Sequence, residues 1–245
     1  MLVAGNWKMN GLLYDAEHLA EKLASANTQN RNTEVIIFPP FLHIPAVTRV
    51  VQKSNIKTGG QNCSVAGSGA NTGEISCEML LDIGCSHVIV GHSERRSLHG
   101  ETDALVAKKY AAALDAGLTP ILCVGESLEQ HTSGETEEVV VRQLSSVRET
   151  VGLGGLCSGI IAYEPVWSIG TGRAALPSKV QNVHETIRSC LGDEGPKTRI
   201  VYGGSLNSEN SAAMFAEKDI DGGLVGGASL QAEEFLRIIK MAERL

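Results

Sequence analysis

Short apolar runs alternate with longer amphipathic segments along the whole chain. The apolar runs have the length of strands and few interrupting polar residues, which is typical of parallel strands buried on both faces. We predict strands at 2–4, 34–38, 56–60, 87–90, 119–124, 160–163, 199–202 and 223–225. Between them, apolar residues recur at the spacing of one helix face. This pattern predicts helices at 16–23, 45–53, 77–83, 102–116, 136–151, 178–191, 208–216 and 232–245.

Residues that commonly begin or end helices support several of these segments. We expect Ser76, Ser178 and Ser208 to start helices, since serine accepts a hydrogen bond from an unpaired N–H of the first turn. Glycines that often close a helix follow three of the segments, at Gly84, Gly117 and Gly192.

Eight strand–helix units in succession predict a parallel sheet that closes on itself, a (β/α)8 barrel of the α/β class. The length of 245 residues suits one such barrel, so we expect a single domain over residues 1–245. An open doubly wound sheet would carry a glycine-rich fingerprint after its first strand. The residues here, Asn6-Trp7-Lys8-Met9-Asn10, do not form that fingerprint.

Composition and charge narrow the classes of function. The chain has 21 basic and 28 acidic residues, a net charge of −7. This balance argues against binding to nucleic acid or to an anionic membrane, and it requires that any anionic ligand be held by local features. Six scattered cysteines without a metal-binding spacing indicate a reducing compartment. We expect no secretory signal and no membrane span, and therefore a cytoplasmic protein.

A carboxylate at a strand exit is the first candidate for chemistry. The apolar run 159–163 ends at Glu164, and Pro165 cannot continue the strand because it has no N–H. A carboxylate partly shielded from water tends to have a raised pKa, which suits a general base. Residues 169–172 are rich in glycine and could move as a lid. Glu164 could also be an ordinary charge at the start of a surface loop.

Other polar residues also follow strands, and in a barrel the carboxyl ends of all strands meet at one face. Asn6 and Lys8 follow the first strand, and His92 follows the fourth. Lys8 could be a solvated lysine, but next to an apolar strand end it is better interpreted as a cation for an oxyanion or a phosphate. His92 could be a core histidine. We place it at a helix N-terminus capped by Ser93 and Glu94, where the helix dipole favours neutral imidazole.

Glycine pairs follow the last two strands, at 203–204 and 226–227. Backbone N–H groups at such pairs can approach an anion closely, and a short helix after them would point its positive end at the same place. One pair alone is a common tight turn. Two pairs on these strands indicate a phosphate site.

The chain resembles the triosephosphate isomerase family along its whole length. The resemblance rests on six segments in order: Asn6-Trp7-Lys8-Met9-Asn10, Gly91-His92-Ser93-Glu94-Arg95-Arg96, Ala162-Tyr163-Glu164-Pro165-Val166-Trp167, Ile169-Gly170-Thr171-Gly172, Tyr202-Gly203-Gly204-Ser205 and Gly226-Gly227-Ala228-Ser229. It implies a single-domain TIM barrel that interconverts dihydroxyacetone phosphate and D-glyceraldehyde 3-phosphate by proton transfer through an enediolate, without metal or organic cofactor. The reaction belongs to glycolysis and gluconeogenesis.

The resemblance also implies roles for individual residues. Glu164 would be the base and His92 a neutral electrophile, with Lys8 and Asn6 stabilising negative charge and Ser93 and Glu94 in support. The implied phosphate site is Asn6, Lys8, Gly170, Ser205, Gly226 and Gly227. The implied lid runs from residue 165 to about 176 and includes Pro165, Val166, Trp167, Ser168, Ile169, Gly170, Thr171 and Gly172. Thr72 would contact the second subunit of a homodimer.

Four positions depart from the usual pattern of the family. Ser168 and Arg173 stand where the lid commonly has alanine and lysine, and Leu176 is unusual near the end of the lid. Asn71 replaces an aromatic residue of the dimerisation loop. Two alternatives remain at this stage. A sugar-phosphate epimerase would need metal-binding His and Asp residues at strand ends, and a non-catalytic barrel would have no use for Lys8, His92 and Glu164 together.

Overall fold

The computed structural model describes residues 1–26, 33–169 and 175–244. Eight parallel strands form a closed barrel in chain order: β1 Leu2–Asn6, β2 Glu34–Phe38, β3 Ile56–Gly60, β4 His87–Val90, β5 Thr119–Val124, β6 Ile160–Tyr163, β7 Ile200–Tyr202 and β8 Gly222–Val225. β8 closes the barrel against β1, with Leu2 opposite Gly222. The predicted single-domain TIM barrel is confirmed, and every predicted strand is present to within two residues at each end.

Helices lie between the strands and cover the outside of the barrel. In the described part of the chain they are α1 Leu13–Ala26, α2 Ile44–Val51, α3 Cys77–Asp82, α4 Ser93–His99, α5 Asp103–Ala116, α6 Leu128–Thr132, α7 Thr136–Cys157, α8 Pro177–Cys190, α9 Ser211–Phe215 and α10 Ala232–Ala242. Short 3-10 helices lie at Phe41–His43, Val166–Ser168, Gly192–Lys197 and Gly227–Leu230. The sequence pattern did not give a separate segment for α6, because it is too short to show a helical period.

One of the three expected serine caps is confirmed and two are wrong. The Ser76 side chain accepts the N–H of Met79 at the start of α3. α8 begins instead at Pro177, whose fixed φ suits a first helical position, and Ser178 lies inside the helix. Ser208 lies before α9 and donates its hydroxyl to Glu234 of α10. A tertiary partner therefore competes with the local cap at this position.

The core has two layers. Side chains that point into the barrel pack on its axis, and they include Leu2, Ile36, Ile89 and Ile121. Alternate residues of the same strands point outward and pack under the helices, as Val3 does beside Trp7. Both faces of each strand are thus buried, which explains the uninterrupted apolar runs in the sequence.

An ionic cluster lies at the amino end of the barrel, opposite the strand exits that carry the candidate chemistry. Glu34 binds Lys57 at 2.6 Å and also pairs with Arg199, while Nε2 of His87 lies 3.8 Å from the same carboxylate. The two cations hold the pKa of Glu34 at about 2, against the effect of burial, which raises it. In the described residues no helix has the length and hydropathy that a membrane span requires.

Candidate active site

A cavity of about 270 Å³ opens at the carboxyl end of the barrel. It is lined by Asn6, Lys8, His92, Glu164, Ile169, Gly203, Gly204, Ser205, Leu206, Asn207, Asn210, Leu224, Gly226, Gly227 and Ala228. Seven site residues predicted from the sequence thus come together from five different strand ends. Ser93 and Glu94 are not in this lining. They contact residues that are.

Glu164 is buried directly after β6, and two groups from the β4 exit hold its carboxylate. Its Oε1 lies 3.0 Å from Nε2 of His92, and its Oε2 accepts the backbone N–H of Ser93 at 2.8 Å. Glu164 itself donates its backbone N–H to Val124 at the end of β5. The carboxylate is therefore fixed between neighbouring strand ends and faces the cavity.

The expectation of a raised pKa for Glu164 is wrong in this arrangement. Burial raises the pKa, but the His92 imidazole, the N–H of Ser93 and the Lys8 ammonium together lower it below its usual value. The group is thus held as a carboxylate, the form that a base needs. The sequence indicated that Glu164 is shielded from water, but it did not indicate which groups contact the carboxylate.

His92 itself is the N-cap of α4, a role that the sequence had assigned to Ser93 and Glu94. Its Nδ1 accepts the backbone N–H of Glu94 at 3.2 Å, and Ser93 is the first helical residue. Burial lowers the pKa of His92, and the Glu164 carboxylate more than offsets this and raises it. Protonation of Nδ1 would require loss of the cap hydrogen bond. The cap hydrogen bond thus favours a neutral imidazole with its proton on Nε2, whereas the Glu164 carboxylate favours the protonated ring.

Lys8 is held in a left-handed backbone conformation by its neighbours. With φ of 51°, it is the one non-glycine residue of the described chain with positive φ. Its N–H donates to Asn6 Oδ1 at 3.0 Å, and its carbonyl accepts from Gln61 Nε2 at 2.8 Å. Strain of this kind costs roughly 1–3 kcal/mol and persists where the surroundings enforce it. The ammonium is thereby directed to the cavity rim, where Glu94 binds it at 2.7 Å.

The two glycine pairs form the opposite wall of the cavity. A Cβ on Gly226 would stand 3.5 Å from Cε of Lys8, and one on Gly227 would meet nothing within 4 Å. The 3-10 helix Gly227–Leu230 begins at this wall. Ser205 lies next to it and donates its hydroxyl to the carbonyl of Ser168 at 2.5 Å. An anion in this part of the cavity would meet unobstructed backbone and the Lys8 ammonium.

The start of the predicted lid forms the remaining wall. Val166–Ser168 is one turn of 3-10 helix, and Ile169 lines the cavity. Ser168 is buried, and its hydroxyl lies 3.4 Å from that of Tyr202. Leu176, at the far end of the lid, is exposed. Gly170, Thr171, Gly172 and Arg173 lie outside the described residues.

Two residues that support the site were missed in the sequence. Gln61 follows β3 and binds the carbonyl of Lys8, and Glu126 follows β5 and accepts the indole N–H of Trp167 at 2.8 Å. The same strand-end rule would have found both, because it applies to the third and fifth strands as well.

Thr72 does not reach the cavity of its own chain. It lies in the connection 64–75, in which residues 67–74 are exposed. Within residues 1–26, 33–169 and 175–244, no group of three or more His, Cys, Asp or Glu side chains could hold a metal ion.

Comparison with known proteins identifies the family of this chain. The family profile described as "Triosephosphate isomerase" matches residues 1–242. Proteins named triosephosphate isomerase are 51% identical to this chain in Thiobacillus denitrificans, over 99% of this chain and 98% of that protein, and 48% identical in Alcanivorax borkumensis, with the same coverage. The protein of that name in Nitrosomonas europaea is 46% identical over 98% of this chain and 97% of its own length. With the barrel, the strand-end residues and these similarities in agreement, the chain belongs to the triosephosphate isomerase family.

Proposed function

We propose that this chain interconverts dihydroxyacetone phosphate and D-glyceraldehyde 3-phosphate, a step of glycolysis and gluconeogenesis, in the cytoplasm. The observation that carries the proposal is the meeting of Glu164, His92 and Lys8 in one cavity. A carboxylate, an imidazole N–H and an ammonium are the groups that a proton transfer next to a carbonyl requires. Residues 1–245 form one domain in this proposal.

Glu164 is the base. Its carboxylate takes a proton from the carbon next to the substrate carbonyl. The electron pair of that C–H bond forms a C=C bond, and the π pair of the carbonyl moves to its oxygen to give an enediolate. The same group then returns the proton to the neighbouring carbon. The site keeps Glu164 ionised and shielded from water, which supports this role. The hydrogen bond from the backbone N–H of Ser93 holds the carboxylate in place.

His92 acts on the oxygen atoms. Its Nε2–H donates a hydrogen bond to the carbonyl oxygen and stabilises the negative charge that develops there. A neutral imidazole can also give that proton to one oxygen and recover another from the adjacent hydroxyl, so the two oxygens exchange roles. The cap hydrogen bond from Glu94 N–H to Nδ1 fixes the tautomer that this step needs.

Lys8 and the glycine walls bind the charged parts of the substrate. The Lys8 ammonium lines the same cavity as Glu164 and His92, and a Cβ on Gly226 would stand 3.8 Å from its Nζ, so it can stabilise both the enediolate and the phosphate. The side-chain oxygen of Asn6 accepts the backbone N–H of Lys8, and the Glu94 carboxylate positions the Lys8 ammonium. Backbone N–H groups of Gly170, Ser205, Gly226 and Gly227 complete the phosphate site. Closure of residues 165–176 over this site would exclude water from the enediolate.

A homodimer would complete the site. A groove of about 460 Å³ lies beside Lys8, and Met9 and Leu98 in its lining are 94% and 76% exposed. Large exposed apolar side chains around a groove commonly mark a protein interface. The connection 64–75 projects from the same protein and would enter this groove in a second copy. Thr72 would then brace Asn6 and Lys8 of the partner across a two-fold interface.

The experiment is a coupled assay of isomerase activity on purified protein, run with the unchanged chain and with Glu164→Gln and Glu164→Asp. Both variants should fold, because each retains a hydrogen-bonding group near Ser93. The kcat of Glu164→Gln should fall by at least about 10²–10⁴-fold, the usual worth of a general base. Glu164→Asp should retain more activity than Glu164→Gln, since it retains a carboxylate. More than a tenth of the original kcat in Glu164→Gln would refute the assignment. Metal bound to the purified protein, together with an absence of isomerase activity, would favour an epimerase instead.

A further inference from the structure

A second buried carboxylate lies outside the cavity, under the first turn of the lid. The side chain of Glu126 is fully buried after β5. It accepts the hydroxyl of Tyr163 at 3.1 and 3.2 Å and the indole N–H of Trp167 at 2.8 Å. The backbone carbonyl of Glu126 also accepts the N–H of Val166 at 3.1 Å. One residue thus holds the start of the lid through both its side chain and its backbone.

His131 covers this carboxylate from the solvent side. Its ring stacks on the indole of Trp167, with centroids 4.4 Å apart and an angle of 26° between the planes. Its Nδ1 lies 3.3 Å from Oε1 of Glu126, the oxygen that accepts the indole N–H. His131 belongs to α6, which a capping box between Ser127 and Gln130 fixes at its start. The ring is therefore presented to Trp167 from a defined helix turn.

Trp167 is linked to the cavity by the two residues that follow it in the chain. Ser168 follows Trp167 and accepts the Ser205 hydroxyl, so it ties the turn to the β7 exit. Ile169 follows next, lines the cavity and donates its N–H to Val166. A change in the orientation of Trp167 would therefore move residues that lie against the bound substrate.

We propose that His131 is a positioning residue for the lid: it clamps Trp167 between its own ring and the Glu126 carboxylate and so preorganises the first turn of the lid for closure. The stack restricts the indole from the exposed side, and Nδ1 of His131, which lies 3.3 Å from Oε1 of Glu126 and 3.4 Å from Oγ1 of Thr136, places a ring nitrogen beside a buried carboxylate. Such a carboxylate is costly to bury unless donors surround it. Preorganisation reduces the ordering that closure on substrate would otherwise require. This role in turnover rests on the function proposed above.

Three substitutions separate the parts of the clamp. His131→Ala removes both the ring and its nitrogen atoms, His131→Phe keeps a ring for the stack, and His131→Gln keeps a polar group near Glu126 without the ring. His18→Ala is a matched control, because His18 is also an exposed histidine stacked on an aromatic ring, that of Tyr14, and its Nδ1 lies 3.8 Å from Glu21. His18 lies on α1, away from the lid.

The first readouts do not depend on activity. The chain has two tryptophans, and Trp7 is buried, so a change in quenching by acrylamide reports on Trp167. His131→Ala should make Trp167 easier to quench and speed amide exchange at Val166, Ser168 and Ile169. His131→Phe should restore part of the quenching protection. His18→Ala should match the unchanged protein in both measurements.

The kinetic readout tests the effect on the reaction. In His131→Ala, kcat/KM for D-glyceraldehyde 3-phosphate should fall about three- to tenfold, as the loss of one aromatic pair implies, with His131→Phe and His131→Gln in between. Quenching and exchange equal to those of the unchanged protein would overturn the clamp. A mobile Trp167 with unchanged kcat/KM would overturn the positioning role. If the unchanged protein is inactive, the proposed function fails, and quenching and exchange then decide the clamp alone.

Discussion

A Cβ on Gly203 would stand 2.8 Å from Cγ of Glu164 and 3.2 Å from the carbonyl oxygen of Tyr163. The first residue after β7 thus sets the space that the carboxylate at the end of β6 can occupy. Gly203 also donates its N–H to the carbonyl of Tyr163 at 2.7 Å, and this hydrogen bond opposes movement of its backbone away from Glu164. The absence of a side chain at this position is required by the geometry of the neighbouring strand end.

Gly203→Ala should therefore displace the Glu164 carboxylate and lower kcat by about 10–100-fold, since misplacement of a catalytic group by about 1 Å can cost that much. The coupled isomerase assay and a thermal melt measure the two effects separately. Gly154→Ala is the control, because a Cβ there meets nothing within 4 Å. An unchanged kcat in Gly203→Ala would show that the Glu164 carboxylate tolerates a side chain at position 203.

Lys8→Met should weaken binding of a phosphate-bearing enediolate analogue by about 10–100-fold. A charge-assisted hydrogen bond is worth roughly 1.5–3 kcal/mol, and a chain of net charge −7 offers no general attraction in its place. Titration calorimetry on both proteins provides the measurement. Lys57→Met is the matched control, because Lys57 also binds a glutamate, at 2.6 Å, but at the amino end of the barrel. Equal affinities for Lys8→Met and the unchanged protein would remove Lys8 from the site.

Two buried histidines should make the protein less stable in mild acid. Burial lowers the pKa of His87 and of His184 to about 4 each. Below the ordinary pKa of about 6.5, the unfolded chain takes up protons that the folded protein does not, so stability falls as pH falls from about 6.5 to about 4. Between pH 6 and pH 5 the two residues together should cost roughly 2 kcal/mol.

Urea unfolding at these two pH values tests this expectation. His184→Gln should reduce the difference between them by about half, since one of the two titrating groups is then gone. A difference that His184→Gln does not alter would show that other groups govern the acid sensitivity.

The proposed dimer should be weak for its family, because Asn71 stands where an aromatic residue is usual. A fully buried side chain of the size of phenylalanine is worth roughly 1.5–3 kcal/mol. Specific activity should thus fall on dilution in step with dissociation seen by sedimentation, and Asn71→Phe should shift both to lower concentration. Asn71→Gln, which adds length without an aromatic ring, should leave both the loss of activity and the dissociation at the same concentration. A monomer that is fully active at every concentration would refute the bracing role of Thr72.

The sequence by itself determined the barrel and the face that carries its chemistry. Strand and helix periods are local properties, and eight parallel units with right-handed crossovers leave one closed arrangement, whose strand exits share a face. Glu164, His92 and Lys8 could therefore be assigned to one site without coordinates. The cap at Ser76 was predicted for the same reason, because its hydrogen bond to Met79 spans three residues.

Only the tertiary structure determines the features that depend on contacts between residues far apart in the chain. Ser93 and Glu164 are 71 residues apart, and their contact helps reverse the expected shift in the pKa of the base. Ser208 does not start a helix because Glu234, 26 residues away, binds it. The clamp of His131 on Trp167 joins two strand exits in the same way. Such contacts follow from which loops the closed barrel brings together, and no local pattern of residues encodes their distances or their charges.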